Sequence, residues 1–177
     1  LVGEATHEAL TRSGATPGQV EGVAVTSMRH GTVLLGSDDR VLWAVPNRDA
    51  RAASEGMELA STHGGVLLSR TGHWPSPIAQ AARLRWLMTN QPALLERTRS
   101  VLSVSDWLAW RLCGEVASDP SQAGETSLLD LRTREWADAL FGALSLPREK
   151  MPVLRLSGDL LGGLRDEAAA HLRLRPG

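Results

Sequence analysis

Three short apolar runs, each closed by polar or small residues, dominate the first third of the chain. Val20–Thr26 (V-E-G-V-A-V-T), Thr32–Leu35 and Val41–Val45 have the length and β-branched content of strands. Ser37-Asp38-Asp39-Arg40 between the last two predicts a hairpin turn. Elsewhere the spacing is helical. Leu1–Arg12 reads as a helix closed by Gly14, and Arg48–Ser61 as a helix broken by Thr62-His63-Gly64-Gly65. After a loop, Gly72–Pro77, a helix is predicted from Pro77 to Thr89 with proline at its first position, then a short one over Pro92–Arg99. Val101–Val104 predicts a strand. Ser105 reads as the cap of a helix over Asp106–Leu112, stopped by Gly114. Glu115–Ser118 and Leu128–Leu131 read as extended. Asp119-Pro120-Ser121-Gln122-Ala123-Gly124 reads as a capped helical turn, Thr133 as the cap of a helix over Arg134–Ala143, and Asp166–Leu172 as a last helix. Strands early and helices through the middle argue for a mixed α/β domain with a mostly helical insertion.

The chemistry gathers where the strands end. Ser27-Met28-Arg29-His30-Gly31 follows the first strand pattern, and Asn47-Arg48-Asp49-Ala50-Arg51 follows the third. Hydrogen-bonding side chains at strand ends are the usual grip on a small polar ligand. On the residues alone a solvated hairpin tip is the simpler reading of Arg29 and His30. Asn47 serves equally as a helix cap, with Asp49 and Arg51 in a first turn.

Composition narrows the function classes. The chain has 177 residues, 42% hydrophobic and 22% charged, which suits one globular domain. A net charge of -1 gives no electrostatic case for a nucleic-acid or membrane-surface partner. Cys113 is the one cysteine, so no intrachain disulfide can form, and a cytoplasmic setting fits. No apolar run reaches membrane-spanning length, and none reads as a signal peptide. His63, His73 and His171 lack metal-ligand spacing. Trp86, Trp107, Trp110 and Trp136 sit in helical patterns as core residues, which leaves Trp74, in a loop, as the candidate for stacking on a ligand. Glu55 and Glu58 share a helix face that reads as solvated. Leu1 falls inside a helical pattern and Pro176-Gly177 is a turn with nothing after it, so the fold is expected to be truncated at both ends.

Four motifs together carry a resemblance. They are Gly22-Val23-Ala24-Val25-Thr26-Ser27-Met28-Arg29-His30-Gly31; Asn47-Arg48-Asp49-Ala50-Arg51; Ser105-Asp106-Trp107-Leu108-Ala109-Trp110-Arg111-Leu112-Cys113-Gly114-Glu115; and Ser118-Asp119-Pro120-Ser121-Gln122-Ala123-Gly124-Glu125-Thr126-Ser127-Leu128-Leu129-Asp130 followed by Thr133-Arg134-Glu135-Trp136. In order and spacing they resemble the N-terminal domain of the FGGY carbohydrate kinases, over almost the whole chain. The resemblance implies an α/β domain with a ribonuclease-H-like (actin-type ATPase) core carrying a mostly helical insertion. It implies residues 1–177 as a partial substrate-binding domain, with the ATP-binding C-terminal domain absent. It also implies ATP and Mg²⁺ as cofactors of the full-length enzyme and a small polyol or sugar-like substrate; a homodimer is left open.

Substrate contacts are expected from Arg29, His30, Met28, Asn47 and Asp49. No catalytic, nucleotide or metal residue is expected here, because the family's general-base Asp and ATP-binding glycines belong to the other domain. The wording S-M-R, D-A-R-A and D-P-S-x-A-G resembles the autoinducer-2 kinase branch. His30 instead resembles the xylulokinases, since the autoinducer-2 kinases carry Glu there. Most of the family carry Gln at the position of Met28 and Trp at that of Asn47. A pentulose kinase and a non-catalytic ligand-binding module with half of a kinase fold are the alternatives.

Overall fold

The strongest apolar run becomes the centre of a sheet. The computed structural model describes all 177 residues, and in it β1 (Thr32–Gly36) is buried at every position. It lies between β2 (Val41–Val45) and β3 (Thr98–Leu102), antiparallel to both. Because both faces are covered, β1 is apolar without alternation. Leu34 and Val101 point into the main core, with Leu59, Leu67, Leu84, Leu87 and Phe141. Val33, Leu35 and Leu102 point the other way, onto Trp110. The hairpin predicted at Ser37–Arg40 forms, with Asp39 in the left-handed region and the Gly36 amide donating to the Arg40 carbonyl at 2.8 Å.

The helices are α1 (Val2–Ser13), α2 (Ala53–Thr71), α3 (Gln80–Asn90), α4 (Pro92–Arg97), α5 (Val104–Cys113), α6 (Pro120–Gly124), α7 (Asp138–Leu144) and α8 (Asp166–Leu172). Two small ladders complete the domain. One is parallel, β4 (Ala117–Ser118) with β7 (Val153–Leu154); the other is antiparallel, β5 (Leu129–Asp130) with β6 (Glu135–Trp136). In the core below them Trp136 meets Phe141 edge to face at 6.2 Å, and its indole N–H donates to the Pro152 carbonyl at 2.8 Å. That contact satisfies the one polar atom of a buried ring. No helix is long and apolar enough to cross a membrane.

Several local expectations are corrected. Val20–Thr26 joins no ladder: it pairs with none of the three strands of the sheet. It instead lines a cavity of about 900 Å³ opposite Ser105, Asp106, Ala117 and Ser118. The break at Gly64-Gly65 is absent: α2 runs straight through, because Gly64 is where the helix lies against the Trp74 ring. The helix expected at Pro77 begins at Gln80. The cap of α5 is Ser103, in a reciprocal capping box with Asp106, so Ser105 is inside the helix. β3 starts at Thr98 and ends at Leu102, which leaves Val104 as the first residue of α5. Thr133 precedes β6 instead of capping a helix, and α7 starts only at Asp138.

Candidate functional site

The hairpin register brings the two polar clusters together. Thr32 pairs with Val45, so the segment entering β1 (Ser27–Gly31) and the segment leaving β2 (Pro46–Arg51) meet at one end of the sheet. His30 takes a left-handed backbone with φ 61°, which turns the chain into the strand. Gly31 follows where a Cβ would collide with the Val104 side chain, so α5 packs directly behind the tip.

Arg83 of α3 ties the two segments to each other. It is 1% exposed. One terminal nitrogen donates to the His30 carbonyl and to Thr32 Oγ1 (3.0 Å), and the other to the carbonyls of Pro46 (2.9 Å) and Asp49 (3.1 Å). Burial holds its guanidinium below the ordinary arginine range. Its Nε has no partner.

Glu125, the residue capping the C-terminus of α6, approaches the tip from the side. Its two carboxylate oxygens face different partners, Oε2 lying 3.4 Å from His30 Nε2 and Oε1 3.7 Å from an Arg29 nitrogen. The His30 side chain is 14% exposed, whereas that of Arg29 is 69% exposed. Burial lowers the pKa of His30 below the ordinary 6.5, against the opposing pull of Glu125 and with help from the charges of Arg29 and Arg83. The imidazole is therefore neutral at neutral pH, one nitrogen a donor and the other an acceptor.

The second segment is more committed to itself. Asp49 receives a two-pronged bond from Arg51, with Nε at 2.8 Å and a terminal nitrogen at 2.7 Å. This side-chain bond keeps the Asp49 carboxyl below the usual aspartate range. Arg51 in turn lies 5.3 Å from the Trp43 ring centre and 5.1 Å from that of Trp86, which stack on each other. Asp49 is thus a held carboxylate, not a free base. Asn47 is half-buried, and it does not cap α2, whose capping residue is Ala52. Met28 is exposed. At this tip the Arg29 guanidinium is exposed, whereas the imidazole is mostly enclosed, its Nδ1 buried without a partner.

Arg83 and Glu125 were not among the expected site residues. Glu125 lies inside the fourth motif but carries no pattern of its own. Arg83 had a signal, since Gln80, Arg83, Leu84 and Leu87 follow i, i+3, i+4, i+7 spacing and all four are buried, which puts a cation on the core face. Of the other candidates, Trp110 and Trp136 are buried and Trp86 and Trp107 half-buried. Trp74 is exposed, with its ring edge on Gly64. Glu58 pairs with Arg85 at 2.6 Å, whereas Glu55 Oε2 is buried without a partner. Asp119 caps α6, accepting from the amides of Ser121 and Gln122. No three His, Cys, Asp or Glu side chains come together in a group that could hold a metal ion.

The FGGY family of carbohydrate kinases, N-terminal domain, matches over residues 1–177. The chain is 36% identical to an autoinducer-2 kinase of Escherichia coli strain SMS-3-5, covering 100% of the chain and 34% of that protein. Among solved structures it is similar to a xylulose kinase from Rhodospirillum rubrum (TM-score 0.89, 27% identity, 99% of this chain and 37% of that one). A xyloylose kinase from Brucella ovis is also similar (TM-score 0.83, 31% identity, 97% and 35%). The chain spans about a third of the length of these relatives. The architecture is the N-terminal part of the actin-like fold that these sugar kinases share, as the sequence led one to expect.

Proposed function

Because the chain belongs to the FGGY family of carbohydrate kinases, we propose that it is the substrate-binding half of an ATP-dependent kinase acting on a small sugar or polyol. The observation that carries this reading is the meeting of the Arg29–His30 tip with the Asn47–Asp49 segment at one end of the β1–β2 hairpin. In this reading Arg29 donates two parallel hydrogen bonds to adjacent ligand oxygens, in a geometry that lysine cannot reproduce. Neutral His30 and Asn47 complete the hydroxyl contacts, and Met28 forms an apolar edge. Asp49 contributes by keeping Arg51 and its loop in place.

Transfer of a phosphoryl group to an alcohol also needs a base and cations around the triphosphate. Asp49 is engaged by Arg51, and the chain spans only about a third of the length of its kinase relatives. We therefore assign the base, ATP and Mg²⁺ to a further domain of the full-length protein. An autoinducer-2-like acceptor is the first substrate to try, on the strength of the 36% identity to an autoinducer-2 kinase. Xylulose is the second, supported by His30 at the tip and by the likeness to a xylulose kinase fold.

The reading is tested on the full-length protein with a panel of sugars and polyols. Replacing Arg29 by Ala is expected to raise KM for the accepted sugar tenfold or more, with KM for ATP unchanged, since charged donors to the ligand are lost. An unchanged sugar KM removes Arg29 from the site. The 177-residue chain alone is expected to transfer no phosphate; turnover by it would overturn the division of labour.

A further inference from the structure

We infer that Arg83 is a positioning residue of the ligand site, fixing the distance between the Arg29–His30 tip and the Asn47–Asp49 segment. This rests on the proposed sugar-binding role of those segments. Arg83 touches no ligand surface, being 1% exposed. It also forms no ion pair of its own, because the Asp49 carboxylate is bonded to Arg51.

A buried cation without a direct countercharge is costly, and an apolar side chain of similar volume would fill the core more cheaply. What Arg83 supplies instead is a rigid planar fork. One tine holds the entry to β1, at the His30 carbonyl and the Thr32 hydroxyl. The other holds the backbone just after β2, at Pro46 and Asp49. The hairpin ladder ends at the Thr32–Val45 pair, so beyond it no strand hydrogen bonds keep the two segments in register. The guanidinium continues that register into the ligand-contacting residues. It also anchors the carbonyl of the left-handed His30, whose imidazole faces Glu125. Lysine, with one terminal nitrogen on a flexible stem, cannot bridge both segments in this way.

The test uses the full-length protein with Arg83→Lys and Arg83→Met, read by sugar and ATP KM, thermal melting, and amide hydrogen exchange of residues 28–32 and 46–51. For Arg83→Lys the expected result is a sugar KM raised tenfold or more, an unchanged ATP KM, and faster exchange confined to those two segments. A folded Arg83→Lys protein with wild-type sugar KM and wild-type exchange there overturns the proposal. So does exchange that rises evenly across the domain with sugar and ATP KM both unmoved, which marks a purely structural arginine. If Arg83→Met does not fold, the lysine variant still decides. If the wild type phosphorylates no sugar at all, the kinase reading fails. Exchange at the two segments then decides on the clamp alone, a local rise supporting it and its absence overturning it.

Discussion

Two adjacent glycines in one helix should respond oppositely to the same substitution. Gly64 and Gly65 both lie in the interior of α2. A Cβ at Gly65 meets nothing within 4 Å, whereas one at Gly64 would stand 2.6 Å from Trp74 Cη2 and 2.8 Å from its Cζ2. Alanine in a helix interior is worth about 1 kcal/mol over glycine. Gly65→Ala should therefore stabilise by about 1 kcal/mol, or roughly 2–4 °C in Tm for a chain of this size. Gly64→Ala gains the same backbone term but forces the indole aside, an overpacking cost of about 1–3 kcal/mol. Trp74 is 56% exposed, so its ring can yield outwards, which favours the lower part of that range. The two variants should differ by at least about 1 kcal/mol, with Gly64→Ala neutral to destabilising. Urea unfolding with unchanged m-value measures both. Repeating the pair in a Trp74→Ala background should close most of the gap, as expected for a direct contact. If Gly64→Ala stabilises as much as Gly65→Ala with Trp74 present, the packing argument is wrong.

The remaining predictions concern the electrostatics and the cap beside the site. Glu125→Gln should lower the pKa of His30 further, because Glu125 is the charge that raises it against burial; an NMR titration of the imidazole reads this, and a rise would refute it. With its folded pKa below 6.5, His30 binds a proton more readily in the unfolded state. Wild type should therefore lose stability relative to His30→Gln as pH falls below about 6.5, and the two should run parallel above it. Asp119→Ala removes the acceptor for the Ser121 amide (2.8 Å) and for the Ser157 hydroxyl (3.1 Å). It should cost about 1 kcal/mol, and Asp119→Asn should recover most of it; a melt unchanged by alanine would deny the cap.

The sequence by itself determined the local grammar. β1, β2 and the turn between them were legible because β-branched apolar runs with a polar turn have few alternatives, and α1 and α8 because their spacing and stops agree. The Asp119 cap was legible because its acceptor and the amides it binds are neighbours in the chain. Motif order carried the family. What only tertiary structure decided depends on partners far apart in sequence. Val20–Thr26 has strand composition, yet a strand exists only through a ladder with a partner elsewhere in the chain, and no strand of the sheet pairs with it. Gly64 reads as a breaker until the Trp74 ring explains the missing side chain. That the Asp49 carboxylate is gripped by Arg51, itself stacked on Trp43 and Trp86, shows only once those rings are placed. Arg83 and Glu125 meet the His30 tip across long stretches of chain, and the burial that sets the state of the imidazole exists only once those elements have packed.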